Sequence, residues 1–314
     1  GDPRGELALL WRAAERAGDG DERLSLRRRA DAHARRFRAR LYGPLHWEGL
    51  LERVSFGLRD GFIERAHLSA EIAPRALWRL CAVLFELPLA CALRALSIEP
   101  GAQQKLVDAL LELAVPPTLE RLVLGRDEEA GAEAPASSYG MGNVERLEPL
   151  LARLPSLRSL QLRGETTDRV ELELPELEQL RVDARYVGRF VDSLPQARCP
   201  RLRELDLRVR FFTKSAAARV LRLVEAPPPA LDSLSLRGIE AVEPVVRALT
   251  ASTLAARLRQ LTLVSTQPAH EAMTHLGRHA DALAALESLH IAPLDDEIRG
   301  ALGPLAARLA EAPP

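Results

Sequence analysis

A solenoid of α/β units, with short parallel strands on its concave face and helices on its convex face, is the architecture this sequence predicts. Three observations predict it. The first is a triplet, L-x-x-L-x-[LIV], that occurs eight times. It reads Leu93-Leu96-Ile98, Leu119-Leu122-Leu124, Leu157-Leu160-Leu162 and Leu177-Leu180-Val182. It continues as Leu202-Leu205-Leu207, Leu231-Leu234-Leu236, Leu258-Leu261-Leu263 and Leu286-Leu289-Ile291. The first leucines stand 20 to 38 residues apart. The second observation is proline two residues ahead of the first leucine in five units: Pro117, Pro155, Pro175, Pro200 and Pro229. Proline stops a helix and biases the residue before it toward extended geometry. The third is helical periodicity between the triplets. One such unit cannot bury its apolar edge alone, and stacking hides the leucines in a continuous core. These are the marks of a leucine-rich repeat.

The elements follow in chain order. Residues 1–70 are expected to cap the N-terminus, 71–294 to form the repeats, and 295–314 to close the C-terminus. An arginine-rich helix is predicted over 21–41, striped by Leu26, Ala30, Ala34, Phe37 and Leu41. Residues 47–69 then suggest two strands around a Gly-Leu-Arg-Asp-Gly turn at 57–61. The second strand, Ile63-Ala66-Leu68, matches the triplet's apolar spacing as a ninth, degenerate unit, and a helix over 74–87 follows it. Later helices are expected on the stripes Leu106-Leu110-Leu113, Leu147-Leu150-Leu151-Leu154, Val220-Leu221-Val224, Val242-Val245-Val246-Leu249 and Met273-Leu276-Ala280-Leu283. Asn143 and Thr213 suit the N-caps of two of them. Residues 125–142, rich in Gly, Ala and acids, read as a mobile loop. The short crossover with Val170, Leu172 and Leu174 alternates as an extended segment does. At the end, Asp295 suits the N-cap of a closing helix with Ile298, Leu302, Leu305 and Leu309, kinked at Gly303-Pro304.

The N-terminal run GDPRGELALL, Trp47 and the segment GFIERAHLS together resemble a bacterial repeat-companion domain. That domain precedes leucine-rich repeats in myxobacterial and planctomycete proteins. The resemblance covers about residues 1–70 and implies no catalytic residues. In that family a further helix precedes the GDPRGE run. This chain opens on Gly1 and not on methionine, which reads as a fragment or a processed product. The repeats resemble the ribonuclease-inhibitor type in period and in their helical crossovers. They depart from it in the asparagine ladder, whose positions hold Asp127, Glu165, Arg185 and Arg210.

Composition narrows the function. The formal net charge of −1 sets no global field for nucleic acid or an anionic membrane. Only Lys105 and Lys214 are lysine among 43 basic residues, so arginine clusters reflect a general bias. Cys81, Cys91 and Cys199 lack the spacing of a disulfide framework or a zinc ribbon, which fits a reducing cytoplasm. No run of about 20 apolar residues suggests a membrane span. The best surface is the predicted outward face of the strands: Ser159, Gln161, Arg163, Gln179, Arg181, Asp183, Glu204, Asp206, Arg208, Ser233, Ser235 and Arg237. Mixed arginines and carboxylates suit a protein partner, and the same residues also serve as an ordinary solubilising face. The arginines of residues 23–40 allow contact with nucleic acid or anionic lipid, but no aromatic stacking series accompanies them. His270, His275 and His279 share a helix, yet HEAMTH is one residue too long for the zinc-protease motif. Cys199, directly before Pro200, reads as a structural thiol. The expectation is a non-catalytic, cofactor-free and metal-free recognition module for a protein partner. It is not a membrane protein, and its oligomeric state is open. The alternatives are a regulatory subunit of an enzyme assembly and a nucleic-acid-associated factor acting through residues 23–40.

Overall fold

Leucines at alternate positions give a strand one apolar face, and the apolar stripe of the following helix covers it. That alternation organises the whole chain. The structure, a computed structural model, describes residues 2–47, 49–68, 74–99, 103–125, 147–163, 171–184, 189–209, 214–240, 242–267 and 269–310. The chain forms two compact units, Gly1–Gly140 and Met141–Pro314. It is a mixed α/β protein whose strands are mostly parallel.

The first unit opens with helices α1 (Pro3–Arg16), α2 (Gly20–Arg36), α3 (Arg38–Tyr42) and α4 (Pro44–Trp47). Asp2 caps α1 by accepting from the Arg4 N–H at 3.0 Å, with Pro3 in the first turn. Asp19 caps α2 in the same way. The expected single helix over 21–41 is broken at Phe37, whose φ is −106° and ψ 21°. The Phe37 ring packs on His33, and buried His33 is hydrogen-bonded through Nε2 to the Pro3 carbonyl at 2.9 Å. The break lets Leu41 and Tyr42 turn into the core.

Strands β1 (Val54–Arg59) and β2 (Phe62–Leu68) form an antiparallel hairpin. Its turn is tighter than the sequence suggested. Asp60 and Gly61 alone reverse the chain, with φ of 50° and 81°, as a two-residue turn of the primed kind requires. Gly57 to Arg59 belong to β1. Glu64 is an extra residue in β2, since Gly57 pairs with Arg65 and Leu58 with Ile63. This bulge resets the alternation so that Ile63, Ala66 and Leu68 all point inward. Helix α1 lies over the turn: a Cβ on Gly61 would sit 2.6 Å from Ala8 Cα, and Arg12 Nε meets Asp60 Oδ1 at 2.8 Å. Helix α5 (Pro74–Glu86), strand β3 (Ala95–Ile98), helix α6 (Gln103–Glu112) and strand β4 (Arg121–Leu124) complete the unit. β2, β3 and β4 run parallel, so the segment at Ile63 does take the place of a strand ahead of the first triplet. Helix α6 buries Val107, Ala109 and Leu110, whereas Leu113 lies beyond its end and is half-buried. The Leu106 side chain lies outside the described residues.

The second unit contains α7 (Leu147–Leu151), β5 (Ser159–Arg163), β6 (Gln179–Ala184), α8 (Arg189–Ser193), β7 (Glu204–Val209), α9 (Lys214–Glu225) and β8 (Ser233–Ile239). It ends with α10 (Val242–Ala251), β9 (Gln260–Ser265), α11 (His270–Arg278), β10 (Ser288–Ala292) and α12 (Asp296–Ala301). β5 to β10 are parallel and adjacent in chain order. Their register stacks one leucine column, Leu160, Leu180, Leu205, Leu234, Leu261 and Leu289. A second column holds Leu162, Val182, Leu207, Leu236, Leu263 and Ile291. Both are buried, as is each unit's first leucine ahead of the strand. Helix α9 buries Ala216, Val220, Leu223 and Val224, a set spaced by four, three and one that shares one face. Leu221, expected on that stripe, falls to its side and is half-buried. Leu172 and Leu174 are buried in an extended segment, and Glu173 bridges to Arg198.

Strand entries carry two ladders that the sequence reading did not anticipate. The N–H groups of Gln179, Glu204, Ser233, Gln260 and Ser288 each donate to a carbonyl of the preceding unit at 2.9 to 3.1 Å. Thr118 Oγ1 and Arg257 Nε, each just before a first leucine, donate to the carbonyls of Leu93 and Leu231, the preceding first leucines. The residue after each first leucine alternates strictly in sign: Arg94, Glu120, Arg158, Glu178, Arg203, Asp232, Arg259, Glu287. The pairs Arg94–Glu120, Arg158–Glu178 and Arg259–Glu287 close at 3.0, 3.7 and 3.2 Å. Like charges set side by side on neighbouring strands destabilise a sheet, so this alternation favours the observed order.

The closing helix is shorter than expected. Asp295 Oδ1 accepts from the Ile298 N–H at 2.7 Å, as predicted. Gly303, with φ of 53°, follows the end of α12, and a 3-10 turn over Gly303–Arg308 takes its place. Leu309 then bridges to Leu289 beside β10. Asp295→Ala is expected to lower stability by about 1 kcal/mol in thermal or urea melts, with Asp295→Asn close to wild type; equal melts for both variants would remove the capping role. The predicted loop over 125–142, apart from Gly125, lies outside the described residues. So do Val170, the proposed caps Asn143 and Thr213, and the ladder positions Asp127, Glu165, Arg185 and Arg210.

Candidate functional site

The face of β5–β8 opposite the leucine columns carries all twelve side chains singled out in the sequence. Register sets them in three rows. Ser159, Gln179, Glu204 and Ser233 form the first; Gln161, Arg181, Asp206 and Ser235 the second; Arg163, Asp183, Arg208 and Arg237 the third. β9 and β10 extend the rows with Gln260, Thr262 and Val264, then Ser288, His290 and Ala292. The sequence reading omitted these six, although the same period-two alternation marks them.

The charges are paired across strands. Arg163 Nε lies 3.3 Å from Asp183 Oδ2, directly opposite in register. Arg181 Nη2 reaches Glu204 Oε1 diagonally at 3.2 Å. Arg237 Nε lies 3.7 Å from Asp206 Oδ1 and donates to Ser235 Oγ at 3.2 Å. The side chains of Asp183 and Asp206 are only 13% and 19% exposed, so neighbours and not bulk water fix their positions. Arg208 stands between Asp183 and Arg237 in register, so on one side like charge lies beside like charge. Gly238 follows directly. It is the extra residue where the β8–β9 register shifts between Arg237 and Ile239, with φ of 79°. A bulge of this kind re-aims the neighbouring side chain.

The other sequence candidates are separately placed. His270 Nε2 pairs with Glu297 Oε1 at 2.9 Å. The rings of His275 and His279 stack with centroids 4.1 Å apart. His275 Nε2 hydrogen-bonds with Thr250 Oγ1 at 3.0 Å, and His279 Nδ1 with the His275 carbonyl at 2.9 Å. Partial burial, then the positive charge of His279, Arg247 and Arg278, holds His275 below the ordinary histidine range. No group of three or more metal-capable side chains occurs among the described residues. Burial pushes the Cys199 thiol up and the Cys81 thiol up to about 12, so both stay protonated and weakly nucleophilic at neutral pH. The arginines of α2 mostly face solvent; Arg23 Nη2 donates to the Ala17 carbonyl, and the Arg27 guanidinium lies 6.0 Å from the Trp11 ring centroid.

A polar cluster missed in the sequence sits on β2 and β3. His67 Nδ1 meets Ser97 Oγ at 3.2 Å, and His67 Nε2 lies 3.6 Å from Glu99 Oε1. Ser97 is buried in a strand paired on both sides, so the backbone N–H groups around it serve the ladder and build no oxyanion hole. No sequence signal marks the cluster, because only the register joins residues 30 apart.

No protein-family model matches the chain, and no curated protein matches it in sequence. Among solved structures, it is similar to a crystal structure of a protein from Bacteroides fragilis, with a TM-score of 0.58 and 18% identity. That likeness covers 90% of this chain and 82% of that one, and at such identity it is a likeness of fold alone. No helix among the described residues is long and apolar enough to cross a membrane.

Proposed function

We propose that the chain is a leucine-rich-repeat solenoid with a repeat-companion-like N-terminal cap, and that it holds a protein partner on its concave face without catalysing a reaction. The observation that carries this reading is the Arg208–Arg237 juxtaposition within a polar face of cross-strand ion pairs. Two guanidinium groups on neighbouring strands concentrate positive charge at one place, which suits a partner carboxylate. The surrounding pairs hold their side chains in place, which lowers the ordering cost of binding.

The test is affinity capture from the native host with cross-linking and mass spectrometry. A stable co-purifying protein, cross-linked near β6–β8, should be lost in an Arg181→Glu/Arg208→Glu variant and kept in a variant altered only at the exposed Arg299. A partner retained by the double variant, or a hydrolytic activity of the isolated chain, overturns the reading.

A further inference from the structure

The first unit presents a strand edge that nothing described covers. Among the described residues, β1 pairs with β2 alone. On its other side, no backbone hydrogen bond reaches Ser55–Arg59 from any described residue. Such an edge is a row of unpaired donors and acceptors, ready to take another strand. This edge borders a groove of about 1230 Å³, with α1, α2 and α3 forming its opposite wall.

The chemistry of the groove is specific. Trp11, Tyr42, Phe56 and Leu58 supply apolar surface, with Tyr42 and Phe56 stacked at 5.6 Å. The indole N–H of Trp11 is buried without an acceptor. The helical wall contributes Arg27, Arg35 and Arg38. Arg27 and Arg38 hold no hydrogen bond or ion pair among the described residues, and Arg35 reaches only the Asp31 carbonyl, at 3.4 Å. Of the acids that line the groove, Glu64 is already taken by Arg59 at 2.9 Å. Glu15 and Asp31 also line it, so five arginines, Arg27, Arg35, Arg38, Arg59 and Arg65, stand against three acids and the lining is net cationic.

We propose that this groove binds an acidic, extended segment of another protein, which adds as a strand to the outer edge of β1. Side chains of an added strand point alternately to its two sides. Carboxylates on the side that faces the helices meet Arg27, Arg35 and Arg38, beside the stacked Tyr42 and Phe56 rings. Main-chain bonds to β1 supply affinity, and the arginines select for acid. The site is separate from the concave face, and its failure would leave the reading of that face untouched.

The probe is a fluorescent octapeptide of alternating Glu and Val, titrated onto the full chain by anisotropy, with hydrogen exchange followed in parallel. Binding should protect amides within Ser55–Arg59. An Arg27→Glu/Arg38→Glu variant, altered at two exposed positions, should lose about tenfold or more in affinity. The same peptide N-methylated at every second residue should bind about tenfold more weakly or not at all, and a Lys–Val peptide should not bind. Absence of binding, equal binding of the N-methylated peptide, or binding without protection of β1 overturns the proposal. So does protection of β1 in the free protein that disappears on dilution, which would assign the edge to a second copy of this chain.

Discussion

Gly238→Ala is expected to lower the stability of the second unit by about 2–5 kcal/mol, read as a fall in the urea midpoint with the slope unchanged. Two causes add. The backbone at Gly238 has φ of 79°, which costs a side-chain-bearing residue roughly 1–2 kcal/mol. An added Cβ would also lie 1.8 Å from the Val209 carbonyl oxygen, which belongs to a strand and cannot step aside as a flexible side chain would. Crowding of this kind in a packed interior costs roughly 1–3 kcal/mol. Gly300→Ala is the control. Gly300 lies in α12 with nothing near its absent Cβ, so alanine there should stabilise by up to about 1 kcal/mol. If the two substitutions behave alike, the bulge after Arg237 is not the tight feature described. The consequence also reaches the polar face, because strands displaced at Gly238 carry Arg237 away from Asp206 and Ser235.

Leu234→Ala is expected to cost about 2–5 kcal/mol, within the range of fully buried leucines that leave a cavity. Leu234 is 1% exposed and stands in register between Leu205 and Leu261. Its neighbours sit on β7 and β9, strands held on both sides, so the column has little freedom to collapse into the gap. Leu221→Ala, one of the residues first placed on an apolar stripe, should cost clearly less because half-burial removes less surface from water. Chemical denaturation of both variants, followed by a probe in the second unit, decides the matter. A Leu234→Ala loss no larger than that of Leu221→Ala would contradict the stacked-column description. The two compact units call for separate probes.

Legibility in the sequence followed the strength of the local signal. The strand triplets were fully readable, because period two and a fixed leucine spacing survive any detail of packing. The twelve residues of the polar face followed from the same alternation. Their pairing did not, since Arg181 takes Glu204 diagonally while Arg163 takes Asp183 directly, and only register distinguishes these. Helix faces were less secure: Leu221 and Leu223 are both plausible members of a stripe until the helix is seated on its neighbours. The break at Phe37 and the bulge at Glu64 were hidden for a different reason. Each is set by a distant contact, the first by the tie from His33 to Pro3 and the second by the pairing of β1 with β2. The His67–Ser97 pair was invisible for the same cause.

The alternating charges after each first leucine have a consequence for how such a chain can lengthen or shorten. Excising the unit that starts at Leu202 would bring Glu178 next to Asp232, two carboxylates side by side. Excising it together with the following unit would bring Glu178 next to Arg259 and restore an attractive neighbour. Exposed pairs of this kind are worth less than about 1 kcal/mol each, so the penalty acts on register more than on survival of the fold. Parity therefore matters in this chain: gain or loss of units in twos preserves the pattern, and a single duplication leaves a visible scar in it.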